Sequence, residues 1–527
     1  MEIDEAVYEM RTWRWLSLFV LGLFVAGLAS IWIQSPGYMD ADYYFATGQE
    51  LSRGRGFVEP FIWNYLDDPS GISHPSHLYW LPLTSLIAAL PMTFLGQTFR
   101  AAQIPFILMS ASLPVVTAAL ALQIHGNRSW AWYSGLLALV PGFYLPYLLT
   151  TDVFVVYALI GAGFFYITGR GLRNGRNSAW LVSGMMIGLA HFARADGLLF
   201  FLPALAAVSY SDGRKLQRLI LLISGYLLVM SPWFLRNYWV IGTLLPSTGA
   251  KTLWLRSYPE LFSYPSSNLT LKHFLSQGFA AILQVRFGAL WINLQRLIGE
   301  NGLVILGPLM IIGFRELWHA FETRLAALYL VILFLTMSFV FPFAGSLGGL
   351  FHSSAAMMPL LWALVPAGLH RAIQWLSHLR RWDEVHAQRV FAVTVFGMTA
   401  MLTVALYVTK VIGIQPKMPL WMGPKRTYDS AAGTLGELNS DYGIVAINNP
   451  PGFYVSSQKG SVVIPNGGEA ELHKVVDRFA VEWVVLDVNH PEGLAALYRG
   501  QAKVSWLKEK ARLLDHHNEP VLIFEVH

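Results

Sequence analysis

The chain predicts an all-α polytopic membrane protein of about eleven crossings, with a large first outer loop carrying surface helices and a small C-terminal α/β domain. Three observations carry this expectation. Of 527 residues, 54% are hydrophobic and only 13% charged, with a mean hydropathy of +0.46, too apolar for a water-soluble globule. Apolar runs long enough to cross a bilayer recur from Trp15 onward. After Thr409 the composition changes to mixed polar sequence with short β-rich runs.

The first run, Trp15 to Ile33, exceeds the core of a signal peptide and no A-x-A-like site follows it, so it reads as a retained anchor. Next comes GYMDADYYFATGQELSRGRGF, Gly37 to Phe57, where Tyr43, Tyr44, Leu51 and Phe57 supply an apolar face until Gly54 and Gly56 break it. An amphipathic surface helix there holds Asp40 and Asp42 at the lipid headgroup level. Further runs begin near Tyr79, Ala101, Trp130, Asp152, Trp180, Gly197, Leu219, Leu303, Leu325, Ala355 and Val390.

Charge sets the sidedness. Arg170, Arg173 and Arg176 have no acids among them, Arg214, Lys215 and Arg218 face only Asp212, and Arg371, Arg380, Arg381 and Arg389 join them on the cytoplasmic side. Strict alternation from these loops would put Asp40 inside, whereas Arg11 and Arg14 ahead of the first run, with the acid-rich loop after it, favour outside. The conflict disappears if Leu78 to Leu95, with Pro82 and Pro91, dips in and returns or lies along the outer surface. The first outer loop then runs from Gln34 to about Arg100, and Ala280 to Leu297, with Arg286 and Arg296, is interfacial.

Residues 410–527 carry 12 basic and 13 acidic side chains, so the positive surplus belongs to the membrane part, residues 1–409, as a topology signal and not a nucleic-acid footprint. Strands are expected at Ile444 to Ile447, Val462 to Ile464, Trp483 to Val488 and Val521 to Val526, and helices at Glu469 to Ala480 and Glu492 to Tyr498. Parity puts this domain outside. The Asn449-Pro450-Pro451-Gly452 turn is no phosphate loop, no G-x-G-x-x-G opens a helix, and no repeat of solenoid length is visible. The absence of cysteine excludes disulfides and thiol catalysis.

Several polar residues converge on the outer face in this topology: Asp40 and Asp42 in the first loop, Asp152 after two threonines, Arg194 and Asp196 in HFARADG, Arg236 in SPWFLRNYWVIG, and His352 before two serines. Charges at membrane depth line functional cavities or pair with each other. Each has a bland reading. Asp40 and Asp152 suit helix caps, Arg194 and Asp196 suit a structural ion pair, Arg236 can snorkel to headgroups, and His352 suits an interfacial histidine. His74 and His77, in SHPSH, resemble a metal pair only superficially because Pro75 spoils a regular helix face.

At these residues the chain resembles the GT-C class of membrane glycosyltransferases, in particular the family 39-like bacterial relatives of the protein O-mannosyltransferases and aminoarabinose transferases. Asp40, Tyr44, Gly54, Gly56 and Phe57 keep the spacing of that class's first outer loop, with Ala41 where a glutamate is usual and Asp42 available in its place. His74 to Gly96 looks like the Lys-Pro-Pro-Leu segment, with His74 in place of the lysine. TTDVF around Asp152, GLAHFARADG and PWFLRNYWVIG look like the second acidic site, the Arg-x-Asp-Gly stretch and the Pro-Trp…Arg-Asn…Gly signature.

The resemblance implies a GT-C fold and hexosyl or pentosyl transfer, with inversion, from a polyprenyl-phosphate donor to an acceptor hydroxyl on a protein, lipid or glycan. It implies a bacterial inner membrane protein working at the outer face of the lipid bilayer. A phosphate leaving group needs little help, so the protein mainly supplies a base and cations. Asp40 is the expected base, Asp42 and Asp152 its acidic companions, and Arg194, Asp196, Arg236, Lys251, His74 and His352 the expected substrate and phosphate contacts. Asp42 and Asp152 are also the candidate ligands should a divalent cation, Mg2+ or Mn2+, take part. Trp254, Tyr258 and Tyr264, in the outer stretch Ser247 to Pro265, are expected to stack on sugar. The competing class is a transporter or lipid flippase without transferase activity, against which stand the lack of a repeat and the gathering of acids at one face.

Overall fold

A computed structural model describes residues 10–527. Contacts divide the chain into two units, with one break at Lys410/Val411, beside the expected 409/410, and further breaks earlier in the chain. The first takes the chain up to Ile31, Ile104–Arg236 and Val285–Lys410; the second takes Trp32–Gln103, Asn237–Gln284 and Val411–His527.

The first unit is helical. Over the described residues, seven helices are long and apolar enough to cross a membrane, or eight if Arg128–Ala138 and Gly142–Leu149, bent by 47°, form one span. Eleven were expected. The difference comes from runs that composition reads as full spans but whose helices are short, such as Ala195–Tyr210 and the 10-residue Gly307–Glu316. Helices Gly307–Glu316 and Met358–Arg380 cross where a Cβ on Gly368 would run into the Leu309 carbonyl, and one on Gly313 into the Leu364 carbonyl; small residues permit that approach. Arg173, which had no acid nearby in sequence, finds one in Glu322, a fully buried side chain that also accepts from Gln123 at 2.6 Å.

The second unit gathers the three segments that the charge argument placed on one side of the membrane: the first loop, the stretch around Ser247 to Pro265, and the C-terminal region. The first loop returns to where it began, for Arg100 and Gln103 donate to the Ile33 carbonyl at 3.3 and 3.2 Å. Its apolar helix Leu83–Leu95 has 13 residues and contains Pro91. At about 1.5 Å per residue it reaches roughly 20 Å, short of the ~30 Å hydrocarbon core.

Strands β1 (Val58–Glu59) and β3 (His74–Pro75) pair with each other, while β2 (Phe61–Ile62) leaves the loop to join a sheet with β4 (Ile444–Ile447), β5 (Ser461–Val463), β6 (Val481–Leu486), β7 (Leu507–Leu514) and β8 (Pro520–Val526). The order is β2-β5-β4-β6-β8-β7, parallel through β6 and antiparallel beyond. Strand β4 has the expected bounds, and β5, β6, β8 and the helix Glu469–Phe479 lie within two residues of theirs. The sheet buries Ile62, Ala446, Val462 and Val484 against Leu472, Val475 and Phe479 on one side, and Val445, Ile447 and Trp483 against Ala431, Leu435 and Phe453 on the other.

Candidate active site

Asp40 is the second residue of helix Met39–Ser52 and is half-buried. The N-cap residue of this helix is Tyr38, whose side chain makes no capping bond, so Asp40 is not the helix cap of the bland reading. Its charge beside the helix N-terminus is favoured by the helix dipole. Asp40 also faces Tyr258 closely enough to raise that phenol: burial first, then the Asp40 charge, push Tyr258 up to about 12.

Asp42 is buried, 6% exposed, and its Oδ2 accepts from Asn449 Nδ2 at 3.0 Å. Burial lifts its carboxyl to about 7; Asn449 and Lys425 pull it down and the Asp40 charge adds to the rise. Farther along the helix, Glu50 is buried against Arg53 at 2.6 Å, Arg55 at 3.0 Å and the Tyr454 hydroxyl at 2.7 Å.

His74, expected to contact phosphate, sits between two carboxylates, with Nε2 2.9 Å from Asp67 and Nδ1 3.3 Å from Glu59. Burial disfavours its charge, but the two acids outweigh that and lift it to about 10. Glu59 is raised in turn, chiefly by burial, with His74 opposing. His77 is no partner in a metal pair; its ring meets Ser76 at 2.7 Å and Ser85 at 3.0 Å. Lys251 donates to the Leu66 carbonyl at 2.5 Å and Ser266 at 2.8 Å, tying two segments of the second unit together. Tyr264 packs on Tyr65 and Phe479, with centroids 5.1 and 6.2 Å away, so of the three expected stacking rings this one is used as core.

In the first unit the structure brings four of the expected residues to one short helix, Leu350–Ser354. His352 Nε2 lies 3.1 Å from Asp152 Oδ2, and the next residue, Ser353, donates to Asp196 Oδ2, whose Oδ1 pairs with Arg194 Nε at 2.9 Å. Asp152 is fully buried and its Oδ1 accepts from the Val153 backbone at 2.6 Å. The helix that follows, Phe154–Asn174, has Val153 as its N-cap residue, so Asp152 is not its cap. His352 stacks on Phe154 at 4.3 Å, and its Nδ1 meets the Gly348 carbonyl at 2.9 Å. Arg236 lies over the Trp233 ring, 4.7 Å from its centroid. Sequence reasoning missed Asn449, Tyr454 and Ser353 as partners; Asn before two prolines was the one local signal, since it marks a capped helix start as well as a turn.

Residues 73–239 match the family model described as dolichyl-phosphate-mannose-protein mannosyltransferase. No curated protein matches. Among solved structures, ArnT from Cupriavidus metallidurans in the apo state aligns over 97% of this chain and 97% of that chain, with a TM-score of 0.58 at 13% identity. The same protein bound to undecaprenyl phosphate aligns over 97% and 98%, with a TM-score of 0.56 at 14% identity. The oligosaccharyltransferase of Archaeoglobus fulgidus, in complex with Zn and sulfate, aligns over 96% of this chain and 72% of that chain, with a TM-score of 0.53 at 11% identity. Over nearly its whole length the chain shares the fold of these solved enzymes, and residues 73–239 resemble the mannosyltransferase family.

Proposed function

We propose that the protein moves a sugar from a polyprenyl-phosphate carrier to an acceptor hydroxyl, inverting the anomeric carbon, at the extracytoplasmic face of a bacterial inner membrane. Asp40 accepts the hydroxyl proton as the new C–O bond forms, and the phosphate departs with the electrons of the old one. The observation that carries the reading is a GT-C fold over nearly the whole chain together with a half-buried acid at the start of the first-loop helix, next to one that is buried. The similar ArnT was solved with undecaprenyl phosphate, which supports an isoprenoid carrier as donor.

Arg194 and Arg236 are the cations for the phosphate, each held by its own neighbour, Asp196 or Trp233. His74 and Lys251 are committed to partners in their own unit and serve the loop's shape first. A divalent cation fits Asp152 and His352: a ligating imidazole anchors its other nitrogen on an acceptor such as a backbone carbonyl, as His352 does on Gly348. Bound there, Mg2+ or Mn2+ would supply positive charge for the departing phosphate.

The test is transfer in proteoliposomes containing synthetic polyprenyl-phosphate hexose or pentose, read as release of polyprenyl phosphate. Wild type releases it with at least one donor. Failure with every donor, together with no isoprenoid lipid co-purifying, sinks the reading.

A further inference from the structure

We infer that Asp42 fastens the first-loop helix to the C-terminal region through Asn449 and is a positioning residue, leaving the proton to Asp40. The inference deepens the proposed reaction and rests on it for its activity readout.

Helix Met39–Ser52 is held along its length by helix Pro450–Ser457. The partners advance together: Asp42 with Asn449 at 3.0 Å, Glu50 with Tyr454 at 2.7 Å, and Arg53 with Gln458 at 2.7 Å. The two helices therefore run in the same direction, joined at both ends. Asn449 is fixed before it meets Asp42. Its Oδ1 accepts from the Gly452 backbone at 3.0 Å, which caps the second helix and turns Nδ2 toward the carboxylate. No side chain fits at Gly452, since a Cβ there would stand 2.8 Å from Asp42 Oδ2 and 2.9 Å from Tyr428 Cε2.

A proton acceptor must be reachable by the hydroxyl it serves. Asp42 is 6% exposed and faces Asn449, Tyr428 and Lys425 of the C-terminal region. Two residues along an α-helix are about 200° apart around its axis, so Asp40 points away from that contact. The C-terminal region thereby sets the rotation of the helix that presents Asp40. Contact with Asn449 is what Asp42 contributes.

The test is a reciprocal exchange in the full-length protein, with melting temperature and turnover both measured. Asn449→Asp alone sets two carboxylates face to face; it should lower the melting temperature and cut turnover about tenfold or more, as small misplacements of a reacting group do. Adding Asp42→Asn rebuilds the hydrogen bond in reverse and should recover both, with turnover within about threefold of wild type; pairs in contact are coupled in this way. An exchanged protein that melts like wild type yet stays inactive overturns the inference, since the carboxylate at position 42 is then needed for chemistry. So does one whose melting temperature does not recover. If wild type transfers nothing, the proposed function fails, while the melting arm still tests the fastening.

Discussion

His352 reaches Asp152 Oδ2 through Nε2 at 3.1 Å while its Nδ1 meets the Gly348 carbonyl at 2.9 Å. A carbonyl only accepts, so Nδ1 carries a proton, and the contact with Asp152 needs a second proton or a cation between two acceptors. Asp152→Asn satisfies both neighbours without charge: its oxygen accepts from Val153 and its amide donates to Nε2. Stability of this variant should stay within about 1 kcal/mol of wild type while transfer falls at least ~100-fold. Asp152→Ala leaves the Val153 N–H buried and should cost about 1–3 kcal/mol. Unfolding in detergent and turnover in proteoliposomes measure the two. Full activity of the asparagine variant removes Asp152 from the reaction.

The His74 triad gives the first loop an alkaline limit. The folded histidine titrates near 10, above its ordinary value, because Asp67 and Glu59 outweigh burial. Its contribution is therefore complete below about pH 6.5 and is lost as pH rises toward 10. Protection from hydrogen exchange across residues 58–78, taken relative to the intrinsic rate at each pH, should fall between pH 7 and pH 10, and His74→Gln should show the low protection already at pH 7. Equal protection at both pH values in wild type contradicts this.

Asp42 has the opposite setting. Its folded value of about 7 lies above that of an unfolded aspartate, so the folded chain keeps a proton that the unfolded chain has lost. Stability from this group falls as pH rises from about 4 to about 7 and the penalty is complete above that. Asp42→Asn should flatten the fall, with its largest gain in melting temperature at pH 8 and the smallest below pH 4. A fall of the same size in both proteins would show that Asp42 does not titrate as its burial requires.

The two ends of the first loop meet at Ile33, which implies that the loop stays on one side of the membrane. Reporters fused after Met39 and after Gly96 should then report the same side. Opposite sides would mean that Leu83–Leu95 crosses despite its length.

Much of this was legible in sequence because its signals are local. The alternation of Ile444–Ile447, the first-loop helix with its two acids, and the prolines at 82 and 91 each act within a few residues. What was not legible depends on partners far along the chain. Phe61–Ile62 is two residues long and becomes a strand only by pairing with Ser461 and Val462, a contact that no local pattern encodes. Leu507–Leu514 shows mostly charged side chains to solvent and lacks a clean alternation. Asn449 read as a turn because Asn-Pro-Pro-Gly suits a turn as well as a capped helix; only the helix places it against Asp42. Likewise, the pairing of Asp152 with His352 spans 200 residues and needed the fold.

The most direct measurement is the turnover of Asp40→Asn beside wild type, reconstituted with a polyprenyl-phosphate sugar that wild type consumes. Asparagine keeps the side chain's shape and the helix start but cannot take the acceptor's proton. Release of polyprenyl phosphate should drop at least ~100-fold with the melting temperature within a few degrees of wild type. Turnover equal to wild type in a properly folded variant would contradict the account, because Asp40 would then have no part in the transfer.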